Sequence, residues 1–281
     1  MKYRVVLLML LMMLCSCQKT ITAPDQPTPP LTYNLTDYFA TCQGNEVIYL
    51  HAGIGEGDTA GIYKINLDGT NKKLILASYV ELTFDWLAPD LLIVSDGTIY
   101  TVDMDSLSGT KPLTNLGTTY YFPSIRKSDG EILVDQPYLP EAGIWKMNSD
   151  GSGLCRIIPE ARFPDWSADG QEIVGLMDYT KIIVTDTTGK IIREIQCQGF
   201  EVRSLKVSPD GSRIIFSLQT RGRAPQIWVM SFDGSGKQKL IKAGGDYPTW
   251  TKDGRIVFTN TTNGYLYIMD ADGSDLKQIT K

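Results

Sequence analysis

Two hairpin motifs alternate along this chain from residue 38 to its end, six times each. Few folds accommodate such a pattern. The first motif is an apolar run that ends in an acidic or small residue and a glycine. It reads IYKINLDGTNKKLIL from Ile62, IYTVDMDSLSGTKPLT from Ile99 and IWKMNSDGSGLCRII from Ile144. It returns as IIVTDTTGKIIREI from Ile182, IWVMSFDGSGKQKLI from Ile227 and LYIMDADGSDLKQIT from Leu266. The turn glycines Gly69, Gly109, Gly151, Gly189, Gly234 and Gly273 are 40, 42, 38, 45 and 39 residues apart. Between these copies lies the second motif, best seen as FPDWSADGQEIVGL from Phe163, SLKVSPDGSRIIFS from Ser204 and YPTWTKDGRIVFTN from Tyr247. FPSIRKSDGEILVDQ from Phe122, FDWLAPDLLIVSD from Phe84 and YFATCQGNEVIYL from Tyr38 are its weaker copies.

Asp-Gly between two alternating apolar runs specifies a hairpin, because glycine takes positive φ at little steric cost. Each unit of roughly 41 residues therefore holds four strands. In IWVMSF, Ile227, Val229 and Ser231 face one way while Trp228, Met230 and Phe232 face the other. A strand that is apolar on both faces lies between two sheets. The expected fold is all-β, a six-bladed β-propeller with four antiparallel strands per blade. The blades fall at 37–78, 79–117, 118–159, 160–198, 199–243 and 244–281. No spare strand closes the ring by exchange, so either packing closes it or the segment from Leu31 to Thr36 adds to an edge.

PDWSADG, KVSPDG and PTWTKDG, each followed by an apolar strand, and IWVMSFDGSG and LYIMDADGSD with LKQIT, resemble the TolB-type propeller repeat, a relative of the WD repeats. The resemblance covers residues 38–281. It implies a fold and not a function. TolB itself has an extra N-terminal domain and no lipid anchor, so the resemblance does not carry over a role in the Tol–Pal system.

The first residues read differently. MKYRVVLLMLLMMLCSC has Lys2 and Arg4, an apolar stretch from Val5 to Leu14 and then small residues, the pattern of a secretory signal over 1–16. Leu14-Cys15-Ser16-Cys17 resembles the lipobox of bacterial lipoproteins, which implies cleavage before Cys17 and acylation of that cysteine. Residues 17–36 carry Pro24, Pro27, Pro29 and Pro30 and read as an extended tether. The expected setting is the bacterial cell envelope, the outer membrane facing the periplasm, with the propeller at 37–281. Cys42, Cys155 and Cys197 lie beyond the lipid site. Odd in number and widely spaced, they read as buried free thiols, with a single disulfide as the alternative.

The formal net charge of −5 and the lack of basic blocks exclude a nucleic-acid partner. His51 is the single histidine. That argues against a His-ligated metal and against a Ser-His-Asp triad, and no GxSxG elbow is present. Gly53, Gly55 and Gly57 lack the strand–helix context of a dinucleotide site and read as a hairpin loop. MDADGSD from Met269 offers three carboxylates but lacks the rest of a calcium loop. Trp86, Trp166 and Trp250 share one slot, and Trp145 and Trp228 another, so they read as packing between blades. Pro164 and Trp166 are expected to set their strand against the next blade.

No catalytic residue, metal or cofactor is expected. Binding is expected at the channel mouth, on residues that precede the repeated part: Tyr120, Tyr121, Arg162, Phe163, Arg203, Ser204, Asp246 and Tyr247. The loops 51–61, 135–143 and 218–226 share that side. The leading reading is a monomeric, non-catalytic module that binds a protein or peptide. The alternative is a glycan-binding or carbohydrate-active protein with carboxylates in the central channel.

Overall fold

A computed structural model describes residues 36–281 apart from 54–56, 79, 107–110, 116–118, 198–200 and 221. The signal, Cys17, the tether, Gly55 and Gly109 lie outside the described residues.

The strands form six sheets of four, each built from consecutive antiparallel strands. Blade 1 runs from Asp37 to Ala77, blade 2 from Thr83 to Pro112 and blade 3 from Tyr121 to Pro159. Blade 4 runs from Ala161 to Gln196, blade 5 from Glu201 to Lys239 and blade 6 from Gly245 to Gln278. The first strand of each blade contacts the first strands of its two neighbours, and blade 6 contacts blade 1, so the six inner strands surround one axis. The fold is an all-β six-bladed propeller.

The core is divided by the same geometry. Six buried apolar clusters occupy the six seams, each fed by two adjacent blades. The two-faced strand shows how. Ile227 and Val229 join the cluster between blades 5 and 6, while Met230, Trp228 and Phe232 join the one between blades 4 and 5. Trp86, Trp166 and Trp250 are 2%, 6% and 6% exposed. They pack on the preceding blade and not the next: Trp166 lies among Leu133, Ile144 and Ile158 of blade 3. The side chain points to the face that the preceding sheet covers, a direction the repeat alone does not encode.

The second hairpin of each blade turns on an aspartate that accepts from the residue two positions on. Asp68 takes the backbone N–H of Thr70 at 2.9 Å, and Asp150 that of Ser152 at 2.9 Å. The MDADGSD turn is the same device, with Asp272 accepting from Ser274. The glycine beside that aspartate meets two demands. Gly69 has φ +82°, and a Cβ there would lie 2.7 Å from the carbonyl oxygen of Ile279 in blade 6. Gly254, in a first hairpin, has φ +83° but open space around it. Gly254→Ala should therefore cost only the left-handed backbone penalty, about 1–2 kcal/mol. Gly69→Ala should cost clearly more, since a carbonyl must move. Equal shifts in the urea midpoints of the two variants would contradict this packing.

Among the described residues no strand is exchanged to close the ring. Blades 1 and 6 share an apolar cluster with Val47, Tyr49, Val257 and Ile268. Asp37 adds a polar clasp. Its backbone N–H and that of Thr36 donate to the Gly264 carbonyl at 2.8 and 3.0 Å. Thr259 donates to the Asp37 carbonyl at 2.9 Å, and the Thr280 hydroxyl donates to the Asp37 carboxylate. His51 Nδ1 lies 2.6 Å from that same carboxylate.

Candidate functional site at the channel mouth

In four inner strands the ladder register slips by a bulge, and an aromatic residue sits at positive φ inside it. These are Phe39 (φ 53°), Phe122 (49°), Phe163 (51°) and Tyr247 (50°). A bulge re-aims a side chain, and left-handed backbone is costly for a bulky residue. Strain repeated in four blades is strain that the surrounding structure holds in place. The rings converge on the axis. Phe39 meets Tyr247 at 4.5 Å and Phe122 at 5.5 Å between centroids, and Phe122 meets Phe163 at 4.7 Å. Together they form an aromatic floor across the channel. Tyr38 extends it, 6.3 Å from Tyr247. Blades 2 and 5 contribute no ring. Phe84 is buried in a seam, and in blade 5 the aligned slot holds Ser204, with Arg203 the bulged residue beside it.

Two ion pairs brace the floor, Arg162 with Asp135 in a buried setting and Arg203 with Asp246 in a partly exposed one. Arg162 Nε donates to both oxygens of Asp135 at 2.9 Å, and its Nη1 donates to the Tyr179 hydroxyl at 2.9 Å. Asp135, fully buried, also accepts from the Phe163 N–H at 3.3 Å, so one carboxylate holds the arginine and the bulge together. Arg203 Nε donates to Asp246 at 2.8 Å and its Nη1 to Gln219 at 2.9 Å. Burial opposes the charge of both arginines, and the neighbouring carboxylates outweigh it, so both pKa values rise above the ordinary guanidinium range.

Below the floor, the inner strands line an axial cavity of about 80 Å³, walled mainly by the floor rings and by Pro123, Pro164 and Pro248, with Asp85 and Lys206 among its few polar groups. Asp85 accepts from Thr41 at 3.1 Å, from its neighbour Trp86 N–H at 2.8 Å and from Ile125 N–H at 3.1 Å. Asp165 accepts from Ser124 at 2.9 Å, Lys206 Nζ at 3.0 Å and Val207 N–H at 2.8 Å. These contacts staple neighbouring blades across the channel wall. Burial works against the Lys206 charge, but Asp165 and Asp85 raise its pKa on balance.

The structure brings together Arg162, Phe163, Arg203, Asp246 and Tyr247 around the floor. Tyr121 is half-buried at the start of its inner strand. Tyr120 stands apart from the cluster. It is buried, its carbonyl accepts from Ser95, and its ring lies edge-on to Trp145 at 5.6 Å. Ser204 pairs with Ser217 at 2.8 Å. Phe39, Phe122 and Asp135 were missed from sequence. The aligned slot of Phe39-Ala40, Phe122-Pro123, Phe163-Pro164 and Tyr247-Pro248 carries the signal for the first two.

His51 ends the second strand of blade 1, where the loop begins, and is buried, 5% exposed. Nε2 lies 2.8 Å from Asp58, opposite the Asp37 contact. Of the three described cysteines, all free, Cys197 is buried but Cys155 is exposed on an outer strand, against the expectation of buried thiols. Burial pushes the Cys42 thiol up to about 12.

Six up-and-down blades around a channel floored by aromatics define the class: a six-bladed β-propeller. No family model matches the chain. The propeller's relatives by sequence and by fold include TolB. The chain is 32% identical over 128 residues to the Tol-Pal system protein TolB of Anaeromyxobacter dehalogenans, covering 38% of this chain. It spans about a quarter (27%) of that relative's length. TolB from Acinetobacter baumannii superposes with a TM-score of 0.65 at 15% identity, covering 79% of this chain and 63% of that one. The tricorn protease superposes at 0.63 and 15% identity, covering 87% of this chain and 26% of that one. At these identities the superpositions show the fold alone.

Proposed function

We propose that the chain is a lipid-anchored envelope propeller that binds a protein or peptide partner at its mouth and performs no catalysis. The observation that supports it most is the strained aromatic floor. Four residues of one slot adopt left-handed backbone to present rings at the mouth, and the ion pairs of Arg162 and Arg203 brace Phe163 and Tyr247. Fixed aromatics beside arginines are the composition of binding hot spots. Exposed apolar side chains continue the surface outward. Val80, Tyr138, Leu139 and Tyr179 are 58%, 48%, 79% and 37% exposed on the connections of this side. The name of the curated relative, a Tol-Pal system protein, supports an envelope setting with protein partners. The lipobox-like Leu14–Cys17 supports anchoring through Cys17, with the propeller facing the periplasm from the outer membrane.

The channel carboxylates favour binding over acid–base chemistry, since backbone N–H groups, hydroxyls and Lys206 already occupy them.

Two measurements test this. Affinity capture from envelope extracts should retain a protein, and Phe163→Ala should weaken that retention by at least about 10-fold, the scale of a hot-spot residue. Glycan binding without any protein capture would defeat the reading. Separately, Cys17→Ala should move the protein from the membrane to the soluble fraction and abolish palmitate labelling. An unchanged distribution would remove the anchor.

A further inference from the structure

His51 sits between two carboxylates, and each ring nitrogen faces one of them. Nδ1 lies 2.6 Å from Asp37, its ladder partner at the start of the first inner strand and two residues before Phe39. Nε2 lies 2.8 Å from Asp58, on the connection between the second and third strands of blade 1. A carboxylate only accepts hydrogen bonds, and a neutral imidazole has one N–H to donate. Both contacts therefore exist together only in the imidazolium. The two carboxylates are not equal. The Asp37 side chain is 2% exposed and also accepts from the Thr280 hydroxyl, whereas that of Asp58 is 39% exposed. When one proton leaves the ring, the other stays on Nδ1, because a buried charge stripped of a partner costs more than one that water reaches. Nε2 then turns a lone pair toward Asp58, and that contact becomes repulsive.

We propose that His51 is a pH-operated latch on the rim of the mouth. As imidazolium it ties Asp58 to the start of the first inner strand; as neutral imidazole it keeps Asp37 and lets Asp58 go. The residues that follow Asp58 are fixed independently. Tyr63 donates its hydroxyl to the Thr59 carbonyl at 2.8 Å, and the Ser78 N–H donates to the Ala60 carbonyl at 2.9 Å. The movement is thus confined to Gly57 and Asp58. The groups around the ring leave the titration to His51. Tyr63 stands edge-on to it at 5.3 Å, with Tyr49 stacked on Tyr63 at 6.0 Å, and burial raises both phenols above their ordinary range. From blade 6 come hydroxyls: Thr259 donates to the Asp37 carbonyl and Thr280 to its carboxylate. The hydrogen bond to Asp37 raises the His51 pKa, burial lowers it and Asp58 raises it again. The net shift is upward, so the latch releases above the ordinary imidazole value of about 6.5.

The latch needs no partner, so the full chain in detergent is the sample and carbon- and nitrogen-detected NMR the measurement. His51 is the single histidine, and its two ring nitrogens give the first readout. Both should carry a proton at pH 6. On titration to pH 9, Nε2 should lose its proton while Nδ1 keeps its own. Over the same titration the backbone order parameters at Gly57 and Asp58 should fall from about 0.85, the value of rigid backbone, to below about 0.6. Asp58→Ala should show the low values at both pH values. Asp58→Asn should show the high values at both, because an amide accepts from the imidazolium and donates to the neutral ring. A side chain that merely fills space would not separate these two variants. Order parameters unchanged between pH 6 and pH 9 in the wild type would overturn the latch. So would loss of the Nδ1 proton in place of the Nε2 one, or an Asp58→Asn protein that loosens at pH 9 as the wild type does.

Discussion

Arg162→Met should destabilise the propeller by about 3–5 kcal/mol, the cost of leaving a buried charge without its partner. Asp135 is fully buried and the Arg162 side chain only 12% exposed, so no water can replace the lost contact. The backbone suffers as well, because the same carboxylate accepts from the Phe163 N–H within the strained bulge. The double variant Arg162→Met, Asp135→Leu should recover most of the loss, since an apolar pair of similar volume removes the stranded charge. Arg203→Met is the comparison. That side chain is 30% exposed, so solvent screens the pair with Asp246 and the loss should be smaller. Urea unfolding of the four proteins checks the order. A double variant no more stable than Arg162→Met would show that the pair is not what the mutation disturbs.

The second large effect lies at the closing seam. Asp37→Ala removes the acceptor of His51 and Thr280 at once and leaves the imidazole with Asp58 alone. Buried hydrogen bonds to charged groups contribute about 1.5–3 kcal/mol each, so a loss of at least 3 kcal/mol is expected. The seam should also respond to pH. The hydrogen bond to Asp37 raises the His51 pKa against the desolvation that lowers it, and Asp58 assists. The folded pKa thus lies above the ordinary value near 6.5. Folded His51 therefore holds its proton more tightly than the unfolded chain does. Its contribution is complete below about pH 6.5 and is lost as the pH rises through the raised folded value. Tyr49 and Tyr63 also face this network, but burial raises their pKa values further above the ordinary phenol range, out of that window. The thermal midpoint should fall between pH 6 and pH 9, and His51→Gln should flatten that fall. Parallel pH profiles for the two proteins would rule out the linkage.

What the chain shows of itself depends on the range of the interaction. Blade number and strand alternation are local, carried by Asp-Gly turns and by runs such as IWVMSF, and they are legible. Trp166 was readable as a packing residue, but its partner was not. Which sheet covers a face depends on the direction in which the ring is wound. The floor was half legible. Phe163 and Tyr247 stood out beside Arg162 and Asp246, while Phe39 and Phe122 lay hidden in weaker copies of the same motif. Nothing in FPDW announces left-handed backbone at the phenylalanine, because the tertiary fit of neighbouring blades imposes it. Asp135 sat in DQPYLPEAG and looked like the start of a polar loop. Only the fold brings it to Arg162, 27 positions away.

Asp37 and Thr280 are 243 positions apart in sequence and one hydrogen bond apart in space. Because no strand among the described residues is shared across that junction, the order of the blades is cyclic, and the blade that comes first is a matter of connectivity rather than of architecture. Circular permutation is the natural language for such a ring. Bridging the two ends and opening another inter-blade connection would preserve all six seams and the floor. The place at which the ring is cut decides only which seam is left without a covalent connection.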